Sequence, residues 1–233
     1  MTETPQEAGA TGLSLRFRIT FSTQRTLAYV SVLELGTVWE RCLRRAHIPI
    51  RYSQGFNPRP RMQFAAPLPV GCGGEAELLD IWLEQAASAD QVAAALSRER
   101  LPADLRVVSV TGVTESDPAL SEEVVEAEYL LWLRDVEYDT VASSVAAFLA
   151  SDTIPMVKRG SKHRGRPYNL RPLILELTLE TAPLPWIGLR LRVSALSGAT
   201  GRPDELLKAL GLASVPRRCT RTALLLRESA IGQ

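Results

Sequence analysis

The chain is poor in the residues on which metal, nucleophile and cofactor chemistry usually rest. Its three cysteines, Cys42, Cys72 and Cys219, lie far apart and form no CxxC. Neither a zinc ribbon nor an iron–sulfur cluster is therefore encoded, and a reducing compartment is the simple inference. Histidine occurs twice, at His47 and His163. No glycine-rich phosphate cradle of the P-loop or dinucleotide type is present. No apolar run approaches the ~20 residues of a membrane span. Residues 1–12 are polar and lack the layout of a signal peptide, so they read as a disordered leader. The expectation is a cytoplasmic protein with no metal, no cofactor and no membrane partner.

Lysine is also scarce. Only three occur, and the basic residues are otherwise arginines, which suit bidentate phosphate contacts and stacking on bases. The formal net charge of +1 conceals segregation. Six arginines and no acid lie between Arg41 and Arg61. Six Lys and Arg residues and no acid lie between Lys158 and Arg171, whereas Glu115 to Glu128 holds six acids and no base. A neutral average thus hides two basic patches.

Periodicity gives the fold class. Leu15, Phe17, Ile19 and Phe21 alternate with Arg16, Arg18 and Thr20, as in a half-buried strand. Ser31 and Glu34 form a capping box for a helix whose apolar stripe is Leu35, Val38, Trp39, Cys42 and Ala46. His47 at its end reads as a cap or dipole contact, and Pro49 stops it. A short strand over 50–52, an extended stretch over 62–69 and a strand over 78–83 come next. Ser88 and Gln91 open a second capped helix, and 105–111 returns as a strand. Residues 128–134, 172–180, 188–195 and 220–227 read as strands, and 139–150 and 203–210 as helices. In 172–180 the leucines 173, 175, 177 and 179 share one face. Arg190 and Arg192 point outward.

The expected architecture is α+β. Two ferredoxin-like (split βαβ) halves with antiparallel sheets, 13–112 and 127–233, pack together across an acidic linker at 113–126. Glu77, Asp80 and Glu84 lie in and beside the strand at 78–83, and Asp80 and Glu84, which share a face, read as solvated edge acids.

Two loops carry the functional signal. In the first, Gly55 permits a tight turn, and Pro58 and Pro60 stiffen the chain beyond it. Phe56 is placed to stack a base, Gln54 and Asn57 to bond base edges, and Arg59 and Arg61 to hold phosphates. The competing reading makes Phe56 a core plug and Asn57 a turn cap. The second loop offers Lys158, Arg159, Lys162, Arg164, Arg166 and Arg171 around Tyr168, a composition for tracking a phosphate backbone. The competing reading is a solvated, mobile loop. His163 is the single candidate general base for RNA cleavage. Arg202, ahead of Pro203, opens a short helix whose free N–H groups suit a phosphate, with Arg202 as a further contact; the competing reading makes Pro203 simply the usual first-turn residue. Cys219, between Arg218 and Arg221, has surroundings that favour a thiolate, but no base is paired with it in sequence.

The first loop lies between a helix ending Trp39 to Ala46 and the stretch Met62 to Gly71. In this setting its Ser53-to-Pro58 core resembles the radical-SAM-linked domain family, a bacterial domain of unknown function. Val157 to Arg159, Leu170 to Pro172, Arg202-Pro203 and Leu206-Leu207 continue the resemblance over nearly all of the chain after residue 13. The family occurs fused to the C-terminus of B12-type radical SAM proteins or free-standing, often encoded beside an RNase E/G-type ribonuclease. The chain departs from it in having Asn169 where an acid is usual. With no CxxxCxxC, it resembles the free-standing, partner-like form and not the radical enzyme. The expectation is an RNA-binding accessory factor in RNA processing or modification. The alternatives are a protein adaptor for a radical SAM enzyme or an RNase E/G-type ribonuclease, and a metal-independent endoribonuclease.

Overall fold

A computed structural model describes residues 13–157 and 165–227. The expected disordered leader and Lys158, Arg159, Lys162, His163 and Arg164 lie outside the described residues. The element order is β1 (Ser14–Thr23), α1 (Val32–Arg45), β2 (Met62–Phe64), β3 (Cys72–Ala87), α2 (Ala89–Arg98), β4 (Leu105–Val113), α3 (Leu120–Glu123), β5 (Val124–Leu133), α4 (Tyr138–Leu149), β6 (Pro155–Val157), β7 (Pro167–Asn169), β8 (Ile174–Glu180), β9 (Ile187–Leu196), β10 (Ala199–Thr200), α5 (Pro203–Ala209) and β11 (Arg217–Leu226).

The chain is α+β, but its strands do not form two packed sheets. They join one sheet in the order β10-β9-β5-β11-β3-β1-β4, with β8 on β9 and β2 on β3; β6 and β7 form a separate hairpin. The join is β11. It runs antiparallel to β5 and parallel to β3, with Cys219 opposite Cys72 and Arg221 opposite Gly74. Cys72 and Cys219 are disulfide-bonded, so the reduced cysteines expected from their spacing are corrected to one cross-strand bond and one buried free thiol, Cys42. Burial raises the pKa of the Cys42 thiol, despite nearby Arg45.

Local chemistry accounts for the helix ends. Both capping boxes form: Ser31 Oγ accepts from Glu34 N and the Glu34 carboxylate from Ser31 N, and Ser88 and Gln91 repeat the arrangement. His47 ends α1 in the left-handed region at φ 53°. Its N–H reaches Arg44 O, and that of Ile48 reaches Leu43 O. These are the two bonds of a Schellman cap. Gly211 closes α5 in the same way.

One face of the sheet carries the two larger cores, and Ala65, Leu120 and Val124 form a smaller third cluster. Phe17, Ile19, Phe21 and Thr23 of β1 oppose Ile81, Leu79, Glu77 and Gly74 of β3. A bulge at 75–76 therefore keeps Gly74 on the side of Leu79 and Ile81. Trp39 and Leu43 of α1 and Val92 and Leu96 of α2 cover that side of the first segment. Val141, Val145 and Phe148 of α4, with Leu206 and Leu207 of α5, pack on Leu131, Leu189 and Leu191.

The strand-edge acids are corrected. β3 lies inside the sheet, and Asp80 and Glu77 are buried; only Glu84 is exposed. On the opposite face, where α3 lies, Asp80 receives Arg16 and Arg18. Arg16 spends its remaining N–H groups on the carbonyls of Thr114, Asp117 and Pro118. The acidic segment after β4 is thereby pinned across the sheet. Leu120 N–H donates to Gln63 Oε1 at 3.0 Å, and Glu123 meets Arg18 at 2.5 Å.

On the helix face, Arg221 grips Glu77 and donates to the carbonyls of Ala66 (2.9 Å) and Pro67 (3.3 Å). Burial alone would lower its pKa, but Glu77 and Tyr129 hold the guanidinium above its ordinary value. Arg190 and Arg192 lie half-exposed and pair with Glu180, Glu126 and Glu176. The expected single leucine face of β8 is broken. A register shift between Ile174 and Glu176 buries Ile174 and Leu177 and leaves Leu175 exposed.

Candidate nucleic-acid interface

The first basic loop is the tip of a stiff arm rooted at the C-terminal end of β3. Ile50 bridges Leu83, and Tyr52 bridges Pro60. Arg51 N–H donates to Trp82 O at 2.7 Å, Trp82 N–H to Arg61 O at 3.2 Å and Arg61 N–H to Arg51 O at 2.7 Å. Ser53 then closes the tip. Its N–H reaches Arg59 O at 2.8 Å, and its Oγ accepts from Arg59 N–H at 3.0 Å. Gly55 supplies a φ of 145° within the closed turn.

This frame presents Gln54, Phe56, Asn57 and Arg59 to solvent. Phe56 is fully exposed, at 105% of its reference surface, so the core-plug reading fails. Arg61 is held differently, with its guanidinium 4.7 Å from the Trp82 ring centre. Arg16 stands 5.2 Å from the same ring. Arg51, at the root, pairs with Glu115 at 3.1 Å.

The second basic loop springs from the β6–β7 hairpin. Asn169 braces its root: Oδ1 accepts from Ile154 N–H (2.8 Å) and Arg171 N–H (3.1 Å), and Nδ2 donates to Asp152 O (3.3 Å). Both Oδ1 bonds are of a kind a carboxylate accepts equally well. The position therefore serves the backbone, and what the asparagine adds over an acid is the Nδ2 donor to Asp152 O, which a carboxylate lacks. Arg171 also turns inward, donating to Ile174 O at 3.1 Å and lying 5.8 Å from the Phe148 ring centre. Arg166 is exposed and Tyr168 half-buried.

Beside this hairpin lies a cavity of about 670 Å³, lined by Tyr168, Arg202, Asp204, Glu205, Lys208 and Arg217 among others. A second cavity of about 550 Å³ shares Arg202, Asp204 and Arg217 with it and runs on to Tyr29, Val70 and the Cys72–Cys219 pair. Burial, and the Glu205 carboxylate beside it, raise the pKa of the Tyr168 phenol. Arg202 pairs with Asp204 at 3.0 Å. Arg217 donates to Ala213 O at 3.1 Å, and neither it nor Lys208 is ion-paired with another described residue.

Of the cleft residues, Arg202 and Tyr168 were expected as contacts. Lys208 and Arg217 were not: Lys208 stands alone among the basic residues of its segment, and Arg217 lies in an Arg217-Arg218 pair at the start of a strand, outside both basic loops. The cleft opens at the Cys72 end of β3 and the first arm is rooted at Leu83, so the two basic regions stand at opposite ends of one strand. Among the described residues, no group of three or more His, Cys, Asp and Glu is placed to hold a metal, and no helix is long and apolar enough to cross a membrane.

The class so defined is a single-sheet α+β protein with a rigid, arginine-bearing arm at one end of a central strand and a polar cleft at the other. The chain belongs to the family described as an uncharacterized protein conserved in bacteria (DUF2344), whose model matches residues 16–203. No curated protein matches it. Among solved structures it is similar to a Cbf5–Nop10–Gar1 complex, with a TM-score of 0.49, 11% identity, and 89% of this chain and 48% of that chain covered. It is also similar to the archaeal box H/ACA sRNP Nop10–Cbf5 complex, with a TM-score of 0.46, 12% identity, and 91% and 49% covered. A third is an unknown protein from Galdieria sulphuraria, with a TM-score of 0.25, 14% identity, and 90% and 99% covered. The chain spans about half the length of the first two.

Proposed function

We propose that this chain is a cytoplasmic, RNA-binding accessory protein of RNA processing or modification, of the radical-SAM-linked type, built from two ferredoxin-like segments fused through β11. The observation that carries the reading is the arm at 50–62. A fully exposed Phe56 stands on a tip closed by Ser53 and Arg59, with Gln54, Asn57 and Arg59 around it. Displaying a phenylalanine in water has no folding benefit. A sequence-tolerant stacking platform beside phosphate contacts gives it a use.

The exposed Arg166, next to β7, supplies a further cation, and the sequence run 158–164 adds four Lys and Arg residues. The exposed arginines bind RNA without carrying out chemistry on it. The partner enzyme of such a factor is a radical SAM protein or an RNase E/G-type ribonuclease.

The test is binding of total small RNA across a salt series, with Arg59→Ala and Phe56→Ala beside the wild type. The reading expects affinity that falls steeply with salt and is weakened in both variants. Absence of binding at low salt removes it, and would give the arm to a protein partner, with Phe56 as the anchor.

A further inference from the structure

The cleft beside the β6–β7 hairpin has the size and lining of a ligand site. We propose that it binds one nucleoside monophosphate unit, either free or as part of an RNA strand. Its volume of about 670 Å³ lies within the range of small-molecule sites, roughly 300–1,000 Å³. That suits one nucleotide and is too small for several.

The lining divides by chemistry. Met156, Leu173 and the Tyr168 ring form an apolar wall for the face of a base. Arg202, Lys208 and Arg217 supply donors for a phosphate. Asp204 and Glu205 accept from ribose hydroxyls or base amines.

The charge balance selects the phosphate count. Three cations stand against two carboxylates, and Arg202 is already paired with Asp204. Lys208 and Arg217 are the cations left to a ligand among the described residues, against the one remaining carboxylate of Glu205, which matches one phosphate and not a triphosphate chain. The second cavity continues past Arg202 and Arg217. A bound nucleotide is therefore not sealed in, and a connected strand has a way out. The free-nucleotide form of the proposal stands apart from the RNA reading above; the strand form rests on it.

The experiment titrates the full chain with 5′-UMP, 5′-AMP, UTP, inorganic phosphate and a ten-residue oligouridine. Wild type is compared with Arg217→Gln/Lys208→Gln and with Arg59→Ala. Both cleft cations are exposed, so the double variant keeps the fold. The expected result is that the monophosphates bind more tightly than inorganic phosphate or UTP. The cleft variant should weaken them about tenfold or more.

If no mononucleotide binds but the oligonucleotide loses affinity in the cleft variant, the ligand is a unit of RNA. The proposal is overturned if the cleft variant binds every ligand as the wild type does, or if the wild type binds none. Oligonucleotide binding that falls only in Arg59→Ala rejects the cleft and leaves the RNA reading standing. Mononucleotide binding without oligonucleotide binding does the reverse.

Discussion

Arg16 of β1 and Asp80 of β3 meet inside the sheet, with Nε and Nη2 at 3.0 and 2.7 Å from Oδ2 and both side chains almost wholly out of water. The pair does more than neutralise itself. Arg16 also donates to the Asp117 and Pro118 carbonyls at 2.8 Å, and its head covers Trp82. One buried guanidinium thus fastens the segment after β4 to the sheet.

Asp80→Asn leaves Arg16 and Arg18 without their shared carboxylate. Removing one partner of a buried pair typically costs ~3–5 kcal/mol. The same variant should loosen the segment around Asp117, because Arg16 loses the group that orients it. Urea unfolding measures the first effect, and limited proteolysis within 113–119 the second. Unchanged stability together with unchanged protection would remove the fastening role.

Phe56 should behave in the opposite way. A fully exposed side chain contributes nothing to the core, so Phe56→Ala should shift stability by less than ~0.5 kcal/mol. RNA affinity should fall by the worth of one stacked base, ~1–3 kcal/mol. Arg59→Ala should lower the log–log salt slope by ~0.7, the loss of one phosphate contact on a single strand. A slope equal to wild type would show that Arg59 touches no phosphate.

Acid should loosen the start of α1. The Ser31 backbone and side-chain hydrogen bonds lower the pKa of the Glu34 carboxyl below its ordinary 4.5. A depressed folded value means that the contribution is complete above pH 4.5 and is lost as pH falls through the folded value. Amide exchange of the first turn should rise in that window. In Glu34→Gln, which keeps the hydrogen bond without the charge, the pH dependence should be flat.

The parts of this molecule that are local in sequence were legible there. Ser31 with Glu34 and Ser88 with Gln91 sit within one helical turn of each other, and each pair caps as its spacing predicts. The alternation of β1 correctly set Arg16 opposite Phe17. Nothing near Arg16, however, indicates that residues 114–118 will cover it. The insertion of β11 beside β3 joins positions separated by 147 residues and leaves no local pattern. Leu175 was misplaced because a register shift breaks the two-residue period on which the reading depended. Phe56, Arg59 and Arg202 were singled out by the company they keep in sequence, whereas Lys208 and Arg217 come together only in the fold.

The Cys72–Cys219 bond closes a loop of 147 residues. By the chain-entropy argument such a closure is worth about 5 kcal/mol against the unfolded chain. Reduction by a dithiol should therefore lower the melting temperature, and Cys219→Ser should give the same loss without a reductant. The strand pairing at 72–74 does not need the sulfurs, so the reduced chain should keep its secondary structure at 25 °C. Equal melting curves with and without reductant would mean that the bond adds nothing to stability.

The separation of the arm from the cleft sets a length requirement on RNA. From Cys72 to Leu83 along β3 is roughly 35 Å at ~3.3 Å per residue, slightly less for the bulge. A stacked strand advances ~3.4 Å per nucleotide, so about ten nucleotides are needed to touch both ends. A four-nucleotide RNA can occupy only one end at a time, whereas a fifteen-nucleotide RNA can occupy both and gain from the second contact being intramolecular. The longer RNA should bind the wild type far more tightly, and either Arg59→Ala or Arg217→Gln should remove most of that advantage. If affinity rises with length equally in wild type and both variants, the gain is statistical, and the two basic ends do not share a strand.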